Sequence, residues 1–286
     1  MIRIGCCIPG ASFMPEGISG TDGSAAGILT AGCRAVRDTG FDYAEATVGL
    51  LMKMTEEEYR RVKEEGEVRI EAANSFIPGH MHISVLSEEL KTFIGRAMER
   101  VSGLGAGILV FGSGASRRAA EGTPYEKALD DIRNFLVLCD GHARKYGITI
   151  ALEPLNSRET NMINTLAQGA SLVRSMNSEG YGNIKLLADT YHMSREPAGN
   201  ALSAGITEYN EECFAVFKEA EDIIVHAHTA EPFDRTYPGS HGGIYLTRFA
   251  GELKKTSYDG RISVECGFGD FLRESAEALS FLRKIF

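Results

Sequence analysis

Apolar residues along this chain fall into short dense runs, separated by longer stretches where they recur every three or four positions. The runs are "IRIGCCI" (2–8), "FDYAEATV" (41–48), "IEAANSFI" (70–77), "GILVFGSG" (107–114), "ITIALEPL" (148–155), "IKLLADT" (184–190), "IIVHAHT" (223–229) and "ISVECGF" (262–268). Their length and β-branched content are those of buried strands. Between them, "YEKALDDIRNFLVLCDGHARKYG" (125–147) sets Leu129, Ile132, Leu136 and Cys139 on one helical face and stops on a glycine. "LTRFAGELKKTSYDG" (246–260) and "DFLRESAEALSFLRKIF" (270–286) repeat that pattern, and "EEEYRRVKEEGE" (57–68) reads as a solvated helix face of mixed sign.

Strands that alternate with helices run parallel and are joined by right-handed crossovers. Eight such units predict an α/β chain folded as a single (β/α)8 TIM barrel, one domain over residues 1–286. A doubly wound open sheet is the runner-up, and the lack of G-x-G-x-x-G after the first strand weighs against a dinucleotide fold. The longest irregular stretch, "PGASFMPEGISGTDGS" (9–24), follows the first strand and is expected over the barrel mouth.

Composition narrows the setting. The formal charge of -9, with no local Lys/Arg run, argues against a nucleic-acid partner. No apolar run reaches the roughly 18 residues of a membrane span, and "MIRIGCCIPG" lacks the basic stretch and apolar core of a signal peptide. The six cysteines include no C-x-x-C pair, so they read as small core residues in a reduced, cytoplasmic setting.

A barrel builds its active site at the C-terminal ends of its strands. Those ends carry Glu45, Asn74, Glu153, Asp189, His226, His228 and Glu265. Any one of them alone is ordinarily a hydrogen-bonded loop residue. Strands five to eight, however, each end in a hard metal ligand: Glu153, Asp189, a histidine at 226 or 228, and Glu265. Alternation along a strand puts Asp189 on the face of Leu187, His228 on that of His226, and Glu265 on that of Ser263. If those faces point inward, three carboxylates crowd together, and a divalent cation removes the repulsion. His228 stands nearer the mouth and is taken as the ligand, with His226 on the floor. Three oxygens and one nitrogen suit Mn²⁺, Mg²⁺ or Co²⁺ and admit Zn²⁺. "FGSGASRR" (111–118) has the glycines and arginines of an anion loop, but reads more simply as a barrel loop with solvated arginines.

These segments resemble the xylose-isomerase-like TIM-barrel superfamily, in particular its sugar isomerase/epimerase branch, which includes the D-tagatose and D-psicose 3-epimerases. The resemblance runs through essentially the whole chain and is densest over 148–268. "ALEPLNSRE" implies Glu153 as a ligand and Glu159 as a substrate contact; "ADTYHM" implies Asp189 as a ligand and His192 as a substrate contact. "VHAHTAEPFDR" implies His228 and Arg235, the arginine one position later than in the branch, and "ISVECGF" implies Glu265. Asn74, at the third strand end, joins the substrate-binding set.

The resemblance implies a metal-dependent isomerase or epimerase, Mn²⁺ first among its metals, acting on a small carbohydrate: a ketose or oxo-sugar, phosphorylated or not. Glu153 and Glu265 would pass a proton through an enediolate while His192, Arg235 and Glu159 hold the oxygens. "NSFIPGHMHIS" and "FGSGASRRAAEG" depart from the tagatose and psicose epimerases, which leaves the sugar open. The same barrel supports metal-dependent lyases, including inosose dehydratases and C-glycoside deglycosidases, which share the enolisation step. Apurinic endonucleases also use it, but need further His/Asp ligands; His241, in "PGSHGG", has no acid two residues before it. A non-catalytic metal or sugar binder is the remaining class. Branch members are often homodimers or tetramers, and no segment here reads as an interface.

Overall fold

A computed structural model describes residues 2–8, 23–195, 212–232 and 234–286. Its strands are β1 (Arg3–Cys7), β2 (Tyr43–Thr47), β3 (Ile70–Asn74), β4 (Ile108–Phe111), β5 (Thr149–Leu152), β6 (Ile184–Asp189), β7 (Ile224–Thr229) and β8 (Arg261–Val264). They pair in chain order, all parallel, and β1 pairs with β8 to close the barrel. Each lies within its expected run, β8 starting one residue early. Residues 9–22 of the stretch expected over the mouth lie outside the described residues.

β5 and β8 stop one residue short of their acids, so Glu153 and Glu265 are the first loop residues. Pro154, which has no amide hydrogen, cannot extend the ladder after Glu153. The backbones stay anchored all the same: Glu153 N–H donates to the Phe111 carbonyl and Glu265 N–H to the Thr229 carbonyl, both at 3.1 Å. Each acid's backbone is thus tied to the strand that precedes its own in the barrel.

Helices cover the outside. The one over Tyr125–Tyr146 ends on Gly147, whose φ of 66° suits a glycine stop. The charged helix Glu56–Glu65 is closed by a Thr55–Glu58 capping box and buries Val62. The pattern over 246–260 forms a shorter helix, Ile244–Leu253. Thr256 Oγ1 takes the Leu253 carbonyl at 2.6 Å, a local bond that competes with another helical turn. No helix among the described residues is long and apolar enough to cross a membrane.

The core has two parts. The larger lies between barrel and helices; the smaller fills the barrel with Tyr43, Ala72, Ile108, Val110, Ala151 and Leu187, and Val225 packs against it. Pairing of β6 with β7 jumps from Leu186↔Ile224 to Leu187↔His226, skipping Val225. This bulge lets Val225 and His226 both turn inward and sets His228 opposite Asp189. Gly5 leaves room for the Tyr43 ring across the interior, since a Cβ there would lie 2.3 Å from it. Gly5→Ala should therefore destabilise the barrel by roughly 1–3 kcal/mol through overpacking. Urea unfolding measures this; an unchanged midpoint would mean the ring yields freely.

Candidate metal centre and cleft

Glu153, Asp189, His228 and Glu265 come together, each offering one ligand atom within 4.8 Å of all the others. The common point is His228 Nδ1. Glu265 Oε2 lies 3.1 Å from it, Glu153 Oε1 3.2 Å and Asp189 Oδ2 3.8 Å. One ring nitrogen carries at most one hydrogen, which cannot satisfy three carboxylates. A divalent cation can, and this donor set fits one. Gly112 makes room for the first of them, because a Cβ there would fall 2.2 Å from Glu153 Oε2.

Electrostatics at the cluster are uneven. Burial pushes Glu153 above the usual carboxylate range, and His228 only partly offsets it. Burial also pushes Asp189 up, to about 6, against the pull of Arg235. Glu265 goes the other way: burial would raise it, but His228 and Arg235 hold it far below its ordinary value. His228 is raised well above the histidine range, since the surrounding glutamates outweigh its burial.

Asp189 has two tasks. Its Oδ1 accepts the His192 N–H at 3.0 Å, capping the turn Thr190–Met193, while Oδ2 faces the cluster. The cap puts His192 beside the cleft. There His192 Nδ1 accepts from the Asn156 backbone N–H at 3.2 Å. A backbone amide only donates, so the ring hydrogen sits on Nε2. Burial holds His192 below its ordinary range, which keeps the ring neutral.

A cleft of about 530 Å³ opens beside the cluster, a size ordinary for small-ligand sites. Glu153 and Glu265 border it together with Asn74, Glu159, His192 and Arg235. Arg235 folds inward: its Nη2 lies 2.5 Å from Glu265 Oε2 and Nη1 3.9 Å from Glu159 Oε1, with the guanidinium over the Tyr191 ring. Asn74 Nδ2 reaches Cys7 Sγ at 3.3 Å and Glu265 Oε1 at 3.4 Å. Asn74 Oδ1 is buried and, among the described residues, has no hydrogen-bond partner.

Two residues near the site escaped sequence reasoning. Asn156 fixes the His192 tautomer and also donates to Glu159 Oε1 at 3.1 Å; it stands in plain view in "ALEPLNSRE". Glu45, a strand-end acid to which the sequence assigns no role, meets both His226 and His228. The 111–118 loop needs a correction. Arg117 is not solvated but buried, its Nη1 reaching the Phe111 carbonyl at 3.4 Å. Gly114 is small because the Glu159 carbonyl would lie 2.7 Å from a Cβ.

Any cation bound here must displace protons from Asp189 and His228. Its affinity should fall as pH falls, steepening below about 6 where Asp189 regains its proton, by about tenfold per unit for each proton displaced. The same raised value acts oppositely on the metal-free fold: stability present at low pH is lost as pH rises through about 6. Mn²⁺ titration calorimetry in buffers of different ionisation enthalpy, from about pH 5 to 8, reads the released protons. A pH-independent affinity would contradict this account.

A family model described as xylose isomerase-like TIM barrel matches residues 33–285. A D-psicose 3-epimerase of Agrobacterium fabrum is 28% identical over 124 residues, 43% of this chain and 36% of that protein. An L-ribulose 3-epimerase of Methylomonas sp. is 32% identical over 124 residues, 43% of this chain and 37% of that protein. The alignments thus span little more than a third of these relatives' length. Among solved structures, a 3-keto-D-glucoside 4-epimerase from E. coli superposes with a TM-score of 0.74 at 21% identity, covering 99% of this chain and 100% of that one. At that identity the likeness concerns the fold.

Proposed function

The chain belongs to the xylose isomerase-like TIM barrel family, and from that premise we propose that it is a divalent-metal-dependent isomerase or epimerase of a ketose or oxo-sugar. Glu153 and Glu265 carry this reading. Both carboxylates stand about His228 Nδ1 and border one cleft, and their environments drive their protonation apart, Glu153 upward and Glu265 downward. Two carboxylates that border one cleft about a common point can act in turn as base and acid, which is what proton exchange at carbon requires.

Glu153, Asp189, His228 and Glu265 would hold the ion, Mn²⁺ being well suited to the set. When bound, it polarises a carbonyl and acidifies the neighbouring C–H. One glutamate takes that proton and the other returns it, which inverts the carbon when they act on opposite faces. His192 offers its Nε2–H, and Arg235 and Glu159 offer a cation and an acceptor to the sugar oxygens. Asn74 supplies an acceptor in waiting. A buried oxygen without a partner costs about 1–3 kcal/mol, and a substrate hydroxyl would recover it. The relatives' names, D-psicose and L-ribulose 3-epimerase, favour a ketose epimerised at carbon 3.

Incubating the Mn²⁺-loaded protein in D₂O with ketoses, ketose phosphates and oxo-glycosides should place deuterium beside the carbonyl of the true substrate. Glu153→Gln and Glu265→Gln, both metal-saturated, should each stop net epimerisation, one of them still exchanging the proton from a single face. Near wild-type turnover in both would reduce these glutamates to structural ligands. Elimination products would assign the lyase chemistry instead.

His192→Ala should keep its metal and lose roughly 10²–10⁴-fold in kcat/KM, because it removes a hydrogen-bond donor and not a ligand. Elemental analysis beside the kinetics separates the two roles. Loss of the metal would make His192 a ligand.

A further inference from the structure

Glu45 is fully buried inside the barrel and is not among the four candidate ligands. Its Oε1 lies 3.0 Å from His228 Nε2 and its Oε2 2.8 Å from His226 Nε2. Oε2 also accepts from Ser263 Oγ at 2.6 Å, and Ser263 Oγ is 2.8 Å from Tyr43 OH. The far side of His226 is closed as well, its Nδ1 standing 3.1 Å from the Arg261 carbonyl. β2 is not a barrel neighbour of β7, so this carboxylate reaches His228 through the interior.

An imidazole can ligate a cation only through a nitrogen that presents a lone pair. The neutral ring has one hydrogen and two nitrogens, so something must decide which nitrogen is bare. An ionised carboxylate only accepts. Placed against Nε2, it keeps the hydrogen there and leaves Nδ1 bare toward Glu153, Asp189 and Glu265. Because its other oxygen is held by His226 and Ser263, Glu45 also fixes the plane of the ring.

We propose that Glu45 is a positioning residue that sets the tautomer and rotation of His228, so that Nδ1 faces the metal. The proposal rests on the metal reading given above. Cys7, Glu45 and His228 also approach one another closely enough to suggest a second ion. The packing speaks against that, since both Glu45 oxygens already face imidazole nitrogens and Oε2 also accepts from Ser263 Oγ.

Glu45→Gln is the direct test. The amide keeps the size, but its NH₂ group turns a donor on one of the imidazoles. Mn²⁺ affinity, measured by calorimetry, should fall about 10–100-fold, as for other partners behind a metal-bound histidine. Asp189→Ala, measured beside it, should lose the metal outright. In the unaltered protein loaded with diamagnetic Mg²⁺, long-range ¹H–¹⁵N spectra should find the His228 hydrogen on Nε2.

The outcomes separate. If Asp189→Ala loses Mn²⁺ but folded Glu45→Gln binds it like wild type, the positioning role is overturned and the metal reading stands. If Asp189→Ala binds as wild type does, the metal reading fails and takes this one with it. If Glu45→Gln does not fold, the spectra of the unaltered protein decide: hydrogen on Nε2 supports the role, and hydrogen on Nδ1 overturns it.

Discussion

Three carboxylates facing one imidazole nitrogen are the constraint on which the upper half of this barrel depends. Like charges brought this close and taken out of water repel strongly unless a cation joins them. In the protein alone, protonated His228 and the guanidinium of Arg235 share that task, and both are driven toward their charged forms by the surrounding acids. The arrangement is costly compared with an apolar core, and every feature that sustains it is local and identifiable. Gly112 admits Glu153; the bulge at Val225 sets His228 level with Asp189; the Phe111 and Thr229 carbonyls pin the backbones of Glu153 and Glu265.

Backbone strain gathers at the same end. Ser75, Ser113 and Arg235 have φ values of 54°, 44° and 59°, a region where side chains crowd the backbone, and all three border the cleft. Each such position costs of order 1–3 kcal/mol. Ser113 repays part of it through its Oγ, which accepts the Ile77 N–H at 2.9 Å and joins the β3 and β4 loops. Arg235 gains the ion pair with Glu265. All three bends lie in loops that line the cleft, above the closed barrel.

Much of this was legible in the sequence because it is periodic. Eight apolar runs at regular spacing, each flanked by helical patterns, allow few folds other than a closed barrel. Four hard ligands at successive strand ends follow from strand alternation once that barrel is granted. The rest depends on contacts across the interior, which have no sequence period. Glu45 and His228 are far apart along the chain, and only the curvature and bulges of the closed sheet bring them together. Arg117 looked solvated because it sits among Gly, Ser and Ala; its burial follows from the return of the loop over Phe111. The early end of the helix at Leu253 coincides with a threonine hydroxyl on the Leu253 carbonyl, a contact that no period announces.

The two ends of the barrel show why residue type alone does not mark a site. At the N-terminal end Glu71 meets Arg3 and Arg261, at 2.5 and 2.7 Å, on partly exposed side chains. Two cations share one anion there, water screens the remainder, and an ion pair of that kind adds little to stability. At the C-terminal end Glu45, Glu153, Asp189 and His228 are buried, and Asn74 Oδ1 has no hydrogen-bond partner among the described residues. A fold selected only for stability would neutralise or remove such an excess, because buried apolar side chains would serve it as well or better. A largely buried cluster with an excess of acids that opens onto a cleft is instead what a site needs if a cation and a substrate are to complete it.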